Sequence, residues 1–298
     1  MRLNSACIPC LIMKEEKAIR HIQDEERKSN YLHEILKILY DYGLSYPAPW
    51  LTAQIAEKQE EYFGVLKDYS TIKHHFNQLL LAEEAVLEER ILQAEDPLAE
   101  CIRYVCAGNY IDFGIPQGVH ESILEKMIEK ASTQSIDPEE LAHLKEDLSQ
   151  ARELVYLTDN CGEIVLDKIF IRTLKSYYPD LHVTVCLRGI PVINDATLED
   201  AEEIGLTAMV DCIGNGSGVA GTMMAEISEE ARGVITSADL IISKGMGNFE
   251  TLYGEGLNPY YFFLCKCDNF VQKFNMELYA TIFSREERIK VVESAIVS

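Results

Sequence analysis

The sequence has few basic residues for its number of acidic ones. It carries 27 lysines and arginines against 49 aspartates and glutamates, a formal net charge of −22. Proteins that bind a nucleic-acid backbone or an anionic membrane surface need the opposite sign of charge. The composition therefore argues against nucleic acids and membranes as partners. A small phosphorylated ligand would need a bound cation or local basic side chains that reverse the sign of the field.

The sequence also lacks long apolar runs and any stretch typical of a signal peptide, although 47% of its 298 residues are hydrophobic. No apolar run approaches the roughly 18 residues that cross a membrane. Nine cysteines, an odd number, are scattered along the chain, and this usage is typical of reduced thiols. We therefore expect a cytoplasmic protein of one large domain or two, and no pattern predicts its oligomeric state.

The first half of the sequence, residues 1–150, has helical periodicity almost throughout. Gly43 is predicted to end one helix, whose apolar positions follow i, i+3, i+4, i+7 spacing: Leu32, Ile35, Leu36, Leu39 and Tyr42. Asp137, followed by a proline, predicts another helix start, at which Glu140 completes a capping box. Trp50, the one tryptophan, is expected to be a core or interface anchor.

Strand candidates alternate with helical stretches in the second half of the sequence. They are Leu154–Leu157, His182–Leu187, Leu206–Ile213, Leu240–Ser243 and Tyr261–Lys266. This alternation is typical of a parallel sheet covered by helices on both faces. The predicted class is α/β: an N-terminal helical domain over residues 1–150, followed by a three-layer α/β/α Rossmann-like domain over residues 151–298 with a mostly parallel sheet.

Polar residues follow three of these predicted strands. Asp159 and Asn160 come directly after the first strand, Asp195 follows the second, and Lys244 precedes glycines after the fourth. Ligands of open α/β sheets bind outside the carboxyl ends of the strands. Carboxylate and amide oxygens suit Mg²⁺ or Mn²⁺, and a lysine beside exposed backbone N–H groups suits a phosphate. The alternative is that Asp159 and Asn160 only cap the turn.

Four stretches of the second half resemble, in chain order, the motifs of the DUF89 family. They are TDNCGEIVLDK from Thr158, RGIPVINDAT from Arg188, NGSGVAGT from Asn215 and SKGMGNFETL from Ser243. AGNYIDFG from Ala107 and the start of the chain, with Cys7 and Cys10, resemble the prokaryotic branch of that family. The resemblance implies a metal-dependent phosphatase that hydrolyses sugar phosphates or damaged cofactor phosphates, with Mn²⁺, Ni²⁺, Co²⁺ or Mg²⁺ as the cofactor.

The resemblance also assigns roles to individual residues. It implies that Asp159, Asn160 and Asp195 bind the metal and that Lys244 acts with them in catalysis. The expected substrate-binding residues are Arg188, Asn194, Gly216, Ser217, Gly245, Asn248, Glu250 and Asp112. Either an activated water or Asp159 is the nucleophile, and the missing D-x-D pattern favours water. Glu163 is a candidate base, but an acidic residue is favourable at a helix start in any case.

Two motifs leave other functions open. Gly216, Gly218 and Gly221 fit G-x-G-x-x-G, so a nucleotide-cofactor enzyme, methyltransferase or dehydrogenase, is an alternative. That fingerprint normally follows the first strand, whereas this loop follows the third. A non-catalytic metabolite-binding protein is a further alternative. Cys7 and Cys10 form a C-x-x-C pair that suits half of a second metal site, a redox pair, or two reduced cysteines without a ligand.

Overall fold

The protein folds around one six-stranded sheet. The structure, a computed structural model, describes residues 1–110 and 128–292, so Asp112 lies outside the described residues. The strands are β1 Glu153–Leu157, β2 His182–Leu187, β3 Asp211–Gly214, β4 Leu240–Lys244, β5 Tyr260–Leu264 and β6 Thr281–Arg285. Their spatial order is β3-β2-β1-β4-β5-β6, and only β6 runs antiparallel to its neighbour. The α/β class and the mostly parallel sheet are therefore confirmed.

The strand predictions differ from the structure by more than one residue at three places, one of which is that the predicted Tyr261–Lys266 is observed as Tyr260–Leu264. Residues Leu206–Ala208, predicted as the start of the third strand, form a 3₁₀ turn, and the strand begins only at Asp211. The turn follows Gly205, whose left-handed backbone (φ of 73°) redirects the chain after the preceding helix. Strand β6 was not predicted, because its sequence TIFSR is short and only partly apolar.

Helices precede the sheet and connect its strands. Among the described residues, the helices before the sheet are α1 Cys7–Ile19, α2 Glu25–Tyr42, α3 Ala48–Phe63, α4 Ser70–Leu92, α5 Pro97–Gly108 and α6 Pro138–Gln150. The later helices are α7 Glu163–Tyr177, α8 Leu198–Glu203, α9 Glu229–Ser237, α10 Gly245–Leu252 and α11 Asp268–Phe274. Gly43 follows α2 as predicted, and its N–H donates to Leu39 O at 3.0 Å. In the described residues, no helix has the length and apolarity to cross a membrane.

The two faces of the sheet bury different helices because strand side chains alternate. Leu154, Tyr156 and Ile242 pack in a hydrophobic cluster with residues of α4 to α8. Val155 and Leu157 face the other way, onto α9, α10 and α11. Helices α1 to α3 form a separate cluster that reaches the loop after β3. The sheet thus shares its core with α4, α5 and α6, and the division at residue 150 stays a prediction.

Trp50 and Glu140 are two of the side chains that tie the early helices to the α/β part. Trp50 is an interface anchor, as expected: its ring stacks on Tyr46 at 3.9 Å between centroids, and its Nε1 donates to Glu226 at 3.2 Å. The predicted capping box at Glu140 is wrong. The Glu140 carboxylate accepts instead from the backbone N–H of Arg285 at 2.7 Å and from the guanidinium of Arg288, because α6 packs against β6. Asp137 alone caps α6.

Candidate active site

The loops after β1 and β2 lie side by side at the carboxyl edge of the sheet. The backbone N–H of Ala196 donates to Asp159 O at 2.8 Å, and the N–H of Cys161 donates to Asn194 O at 2.9 Å. These bonds form because β1 and β2 are adjacent parallel strands that end at the same level. The structure therefore brings together the loops that carry the predicted metal ligands Asp159, Asn160 and Asp195.

Asp159 keeps some exposure to solvent while amide groups hold one of its oxygens. Its Oδ2 accepts from Asn109 Nδ2 and from Asn160 Nδ2, both at 2.7 Å. Gly245 lies directly against this carboxyl: a Cβ added there would come within 2.2 Å of it. Desolvation, with repulsion from the nearby carboxylates of Glu163 and Asp195, raises the pKa of Asp159 to about 7. A cation that approached this carboxyl would relieve that repulsion.

Arg188 is the basic side chain bonded to the predicted ligands. It is only 1% exposed, and its Nε donates to Asp195 Oδ2 at 2.6 Å. Its Nη1 lies 3.4 Å from Thr222 Oγ1, whereas its buried Nη2 has no hydrogen-bond partner in the described part of the chain. A buried guanidinium N–H without a partner is costly, and an anionic oxygen would satisfy it. Burial raises the pKa of Asp195, although Arg188 opposes the shift.

The structure gives Lys244 partners other than the phosphate that the sequence suggested. Its side chain is fully buried, and its Nζ donates to Glu163 Oε1 and, at 2.8 Å, to Asp167 Oδ1. Tyr156 OH also donates to Asp167, at 2.6 Å. Burial alone would lower the pKa of Lys244, but the carboxylates of Asp167 and Glu163 raise it. We therefore revise the expectation: Lys244 is enclosed behind the site, between β4 and α7.

Glu163 connects that buried lysine to the carboxyl edge. Its Oε2 accepts from Asn109 Nδ2 at 3.1 Å and from Asn160 Nδ2 at 2.9 Å. Although burial would raise the pKa of Glu163, the ammonium of Lys244 lowers it below its usual value. The carboxylate thus stays ionised and orients two amides that also bind Asp159. Its geometry favours a positioning role over that of a free base.

Sequence reasoning missed two residues of this site. Asn109 bonds both Asp159 and Glu163, and its Oδ1 accepts from the N–H of Leu264 at 3.3 Å. Lys266 follows β5 and lies close enough for its charge to lower the pKa values of Asp159 and Glu163. The signal for Lys266 was its position at the carboxyl end of a predicted strand, the rule that identified the other residues.

Two of the expected substrate-binding residues bind protein groups in the described structure. Asn194 Nδ2 donates to Asn160 Oδ1 at 2.6 Å and so orients a predicted metal ligand. Asn248 Nδ2 donates to Lys244 O at 2.7 Å and to Thr158 O at 3.0 Å. These contacts make Asn194 and Asn248 supports of the site.

Glu250 lies apart from this group. Its backbone oxygen accepts from the Met1 ammonium at 2.5 Å, and the charges that act on its carboxyl are those of Met1 and Lys273. The expectation that Glu250 orients the substrate is therefore not supported by its position. Its place on α10, more than one turn beyond Gly245, carries it away from the carboxyl edge.

The glycine loop after β3 borders a cleft of about 1170 Å³. Gly216 and Ser217 line the cleft, and Asn215 Oδ1 accepts from the N–H groups of Ser217 and Gly189, both at 2.9 Å. A dinucleotide fingerprint needs a helix that starts within the glycine loop. The next helix of the described chain starts only at Glu229. The loop geometry thus differs from that fingerprint.

Cys7 and Cys10 lie outside this edge of the sheet. Both are free thiols, and Cys7 Sγ accepts from Asn269 Nδ2, on α11, at 3.9 Å. Burial raises the pKa of Cys7 to about 11, so this thiol is protonated at neutral pH. Their role as a second metal site or redox pair stays a prediction.

The donor set at the carboxyl edge fits a hard divalent cation. Within residues 1–110 and 128–292, no three His, Cys, Asp or Glu side chains group as a metal site. The candidate ligands are instead two carboxylates, Asp159 and Asp195, and the amide oxygen of Asn160. Mg²⁺ typically binds one or two carboxylates and completes its shell with waters and substrate phosphates. Desolvation raises the pKa values of both aspartates, and a bound cation would favour their ionised forms.

Comparisons with known proteins show which sequences and structures this chain resembles. The sequence model of the damage-control phosphatase ARMT1-like domain matches residues 3–282. A damage-control phosphatase of Archaeoglobus fulgidus is 32% identical over 276 residues, which cover 90% of this chain and 93% of that protein. Another, from Pyrococcus horikoshii, is 33% identical over 151 residues, 51% of this chain and 52% of that protein. The crystal structure of a DUF89 family protein from P. horikoshii shares the fold: TM-score 0.82, 23% identity, 96% of this chain and 99% of that one.

Proposed function

Because this chain belongs to the damage-control phosphatase ARMT1-like (DUF89) family, we propose that it is a divalent-metal-dependent phosphomonoester hydrolase of small metabolites. One observation carries the proposal beyond family membership. Arg188 is buried beside Asp195 with a guanidinium nitrogen that has no partner among the described residues. A phosphoryl oxygen is the anion that such a nitrogen binds well.

Three residues would hold the cation, and others would hold the substrate. Asp159, Asn160 and Asp195 supply hard oxygens, which suit Mn²⁺, Ni²⁺, Co²⁺ or Mg²⁺. When bound, the cation supplies positive charge that stabilises the transferring phosphoryl group. Arg188 Nη2 donates to a phosphoryl oxygen, and Lys266 adds positive charge at the same edge. Together these groups reverse the local sign of a protein whose net charge is −22.

The buried layer behind the site keeps these groups in place. Lys244 holds Glu163 ionised, and Glu163 accepts from the amides of Asn109 and Asn160. Those amides donate in turn to Asp159 Oδ2. Because the site is pre-organised in this way, it needs little reorganisation when the charge distribution of the phosphoryl group changes during the reaction.

The strongly negative net charge favours a small substrate. The protein has a net charge of −22, which repels every phosphate of a polyanion, whereas a monoester has only one phosphate to be repelled. We therefore propose sugar monophosphates or damaged cofactor phosphates as substrates, and neither nucleic-acid ends nor phosphoproteins.

The test is a phosphate-release panel with protein freed of metal by chelation. Sugar monophosphates, cofactor phosphates, a phosphopeptide and a 5′-phosphorylated oligonucleotide are each assayed with Mn²⁺, Ni²⁺, Co²⁺ or Mg²⁺. We expect release from the small monoesters that depends on added metal. Undiminished release after exhaustive EDTA treatment would contradict the metal requirement, and a preference for the phosphopeptide or oligonucleotide would contradict the substrate class.

Thermal melting separates this proposal from the nucleotide-cofactor alternative. A ligand that binds only the folded protein raises the melting temperature. We expect Mn²⁺ with inorganic phosphate to raise it, and S-adenosylmethionine or NAD to leave it unchanged. The opposite result would favour the cofactor enzyme.

A further inference from the structure

Helix α4, from the predicted helical domain, carries a buried asparagine that bonds the turn after β1 and also helix α8, which follows the loop after β2. Asn77 has no exposure to solvent. Its Oδ1 accepts from the backbone N–H of Gly162 at 2.7 Å. Its Nδ2 donates to Asp200 Oδ1 at 2.9 Å and to Glu203 Oε2 at 2.8 Å. A single side-chain amide thus connects a turn and a helix that are both distant from it in sequence.

The first of these bonds fixes the turn after β1. Gly162 lies between Asn160 and Glu163, and its φ of 72° is a left-handed conformation that glycine adopts without strain. This turn aims Asn160 at the carboxyl edge and starts α7. A Cβ added at Gly162 would come within 3.0 Å of the Phe76 side chain, so α4 packs closely over the turn.

The second bond fixes the loop after β2. Asp200 Oδ2 accepts from both the N–H and the Oγ1 of Thr197, at 2.8 Å each, and so caps α8 just after Asp195. Lys73 lies one turn before Asn77 on α4 and pairs with Asp200 at 2.7 Å. The start of α8 is therefore held to α4 by an ion pair from Lys73 and a hydrogen bond from the side-chain amide of Asn77.

Displacement of either loop would leave buried polar groups of Asn77 without partners. A buried amide that loses its hydrogen bonds costs free energy, and so does the peptide N–H or carboxylate that it leaves behind. The cost opposes the tendency of the nearby carboxylates of Asp159 and Asp195 to move apart by repulsion. Asn77 thus helps to keep the carboxylates of Asp159 and Asp195 at the separation that a cation bound by both of them needs.

We propose that Asn77 is a positioning residue of this site, which sets the spacing of Asp159 and Asn160 against Asp195 and so the affinity for a divalent cation. The inference rests on the proposed function. It assigns part of the metal affinity to a helix that contributes no metal ligand.

The experiment compares metal-free variants by calorimetric titration with Mn²⁺ alone. Asn77→Ala removes all three bonds, and Asn77→Asp keeps the acceptor for Gly162 but places a carboxylate against Asp200 and Glu203. We expect both to weaken Mn²⁺ binding by about 10- to 100-fold, the usual effect of losing a support of a metal ligand. Saturating Mn²⁺ should restore most of kcat, because the ligands themselves are intact.

The matched control is Gln78→Ala. Gln78 is the next residue of α4, and its amide donates to Glu203 Oε1 at 2.8 Å from the exposed side, away from the Gly162 turn. We expect wild-type Mn²⁺ affinity from this variant. Hydrogen–deuterium exchange over residues 158–166 should quicken in Asn77→Ala and stay unchanged in Gln78→Ala, a readout that does not depend on activity.

A double variant keeps the inference testable where Asn77→Ala folds poorly. Asn77→Asp with Asp200→Asn restores an amide–carboxylate pair with its roles reversed, and Lys73 then lies one helical turn from the new carboxylate. We expect it to recover Mn²⁺ affinity relative to Asn77→Asp. Wild-type affinity in Asn77→Ala, or no recovery in the double variant, would overturn the inference. A wild-type protein that binds Mn²⁺ but releases no phosphate would instead overturn the proposed function.

Discussion

Arg188 and Asp195 form a buried ion pair that leaves part of the guanidinium unused. Arg188 Nε donates to Asp195 Oδ2 at 2.6 Å, while its buried Nη2 has no partner in the described residues. A purely structural arginine at 1% exposure would be expected to satisfy its N–H groups within the protein. Arg188 thus orients Asp195, a candidate metal ligand, and still has an N–H group that could donate to a bound substrate.

We predict that Arg188→Lys lowers kcat/KM by about 10²- to 10³-fold, the usual cost of one lost donor to a developing charge. A lysine keeps the positive charge but cannot donate to Asp195 and a phosphoryl oxygen with the fixed fork of a guanidinium. Steady-state kinetics on the best substrate of the panel measures the effect.

The control for this variant is Arg172→Lys. Arg172 on α7 pairs with Glu84 at 2.9 Å and Glu88 at 2.6 Å, both on α4, away from the carboxyl edge. We expect wild-type kcat/KM from it. Near-normal kcat/KM in Arg188→Lys would show that the unused nitrogen has no role in catalysis.

Two substitutions at the site should change stability in opposite directions. Lys244→Met leaves Glu163 and Asp167 buried without their counterion. We predict a loss of about 3–5 kcal/mol in the free energy of unfolding of the metal-free protein, measured by urea denaturation.

Asp159→Asn removes a carboxylate that repels Glu163 and Asp195, so the metal-free variant should be at least as stable as wild type while hydrolysis is lost.

The control for Lys244→Met is the same change at Lys145, which pairs with Asp96 at the surface, where the two side chains are 41% and 38% exposed. A surface ion pair contributes roughly 0–1 kcal/mol. A stable Lys244→Met variant would contradict the buried network. Near-normal turnover and metal content in Asp159→Asn would show that the metal site is misplaced.

Glu250 predicts a dependence of stability on pH. Burial raises its pKa from 4.5 to about 7, although the Met1 ammonium and Lys273 oppose the shift. Because the pKa is raised on folding, the contribution of this group to stability is present below pH 4.5 and is lost as the pH rises through 7. Cys7 and Cys267 face the same carboxyl, and the raised pKa values of both thiols keep them neutral over this range.

We therefore expect Glu250→Gln to become more stable relative to wild type as the pH rises from about 5 to 8. The difference in the free energy of unfolding should grow by about 1–3 kcal/mol, and the melting temperature of the variant should rise relative to that of wild type. Thermal melts of metal-free proteins at both pH values measure it. Glu230→Gln, at an exposed glutamate of α9, should show a constant difference. A constant difference for Glu250→Gln as well would contradict the buried carboxyl.

The C-x-x-C pair should be dispensable for hydrolysis. The described contact of Cys7 is with Asn269 of α11, and the candidate site uses oxygen ligands. We predict that the double variant Cys7→Ser, Cys10→Ser keeps wild-type kcat/KM, with at most a lower melting temperature. Folded protein without phosphatase activity would contradict this, and bound zinc that disappears in the double variant would identify a structural metal site.

Residue patterns alone were enough to predict the fold class and to find the polar residues that follow β1 and β2. Strand and helix patterns are local, because a strand repeats every two residues and a helix every 3.6. His182–Leu187 was therefore predicted with its observed bounds. Leu206–Ile213 was predicted too long, because a short apolar run can form either a strand or a buried turn. Asp159 and Asp195 could be found because parallel strands end at one edge.

Which side chains face the candidate site and which support it depends on packing between elements that are distant in sequence. Lys244 lies on the same face of β4 as Ile242 and so faces α7, where Glu163 and Asp167 enclose it. Sequence spacing does not say which helix covers which face of a sheet. The bond from Asn77 to Gly162 joins residues 85 apart, and it exists only because α4 packs across the turn after β1. Contacts of that kind depend on how complete layers pack, because a buried side-chain amide is stable only where packing brings hydrogen-bond partners to it.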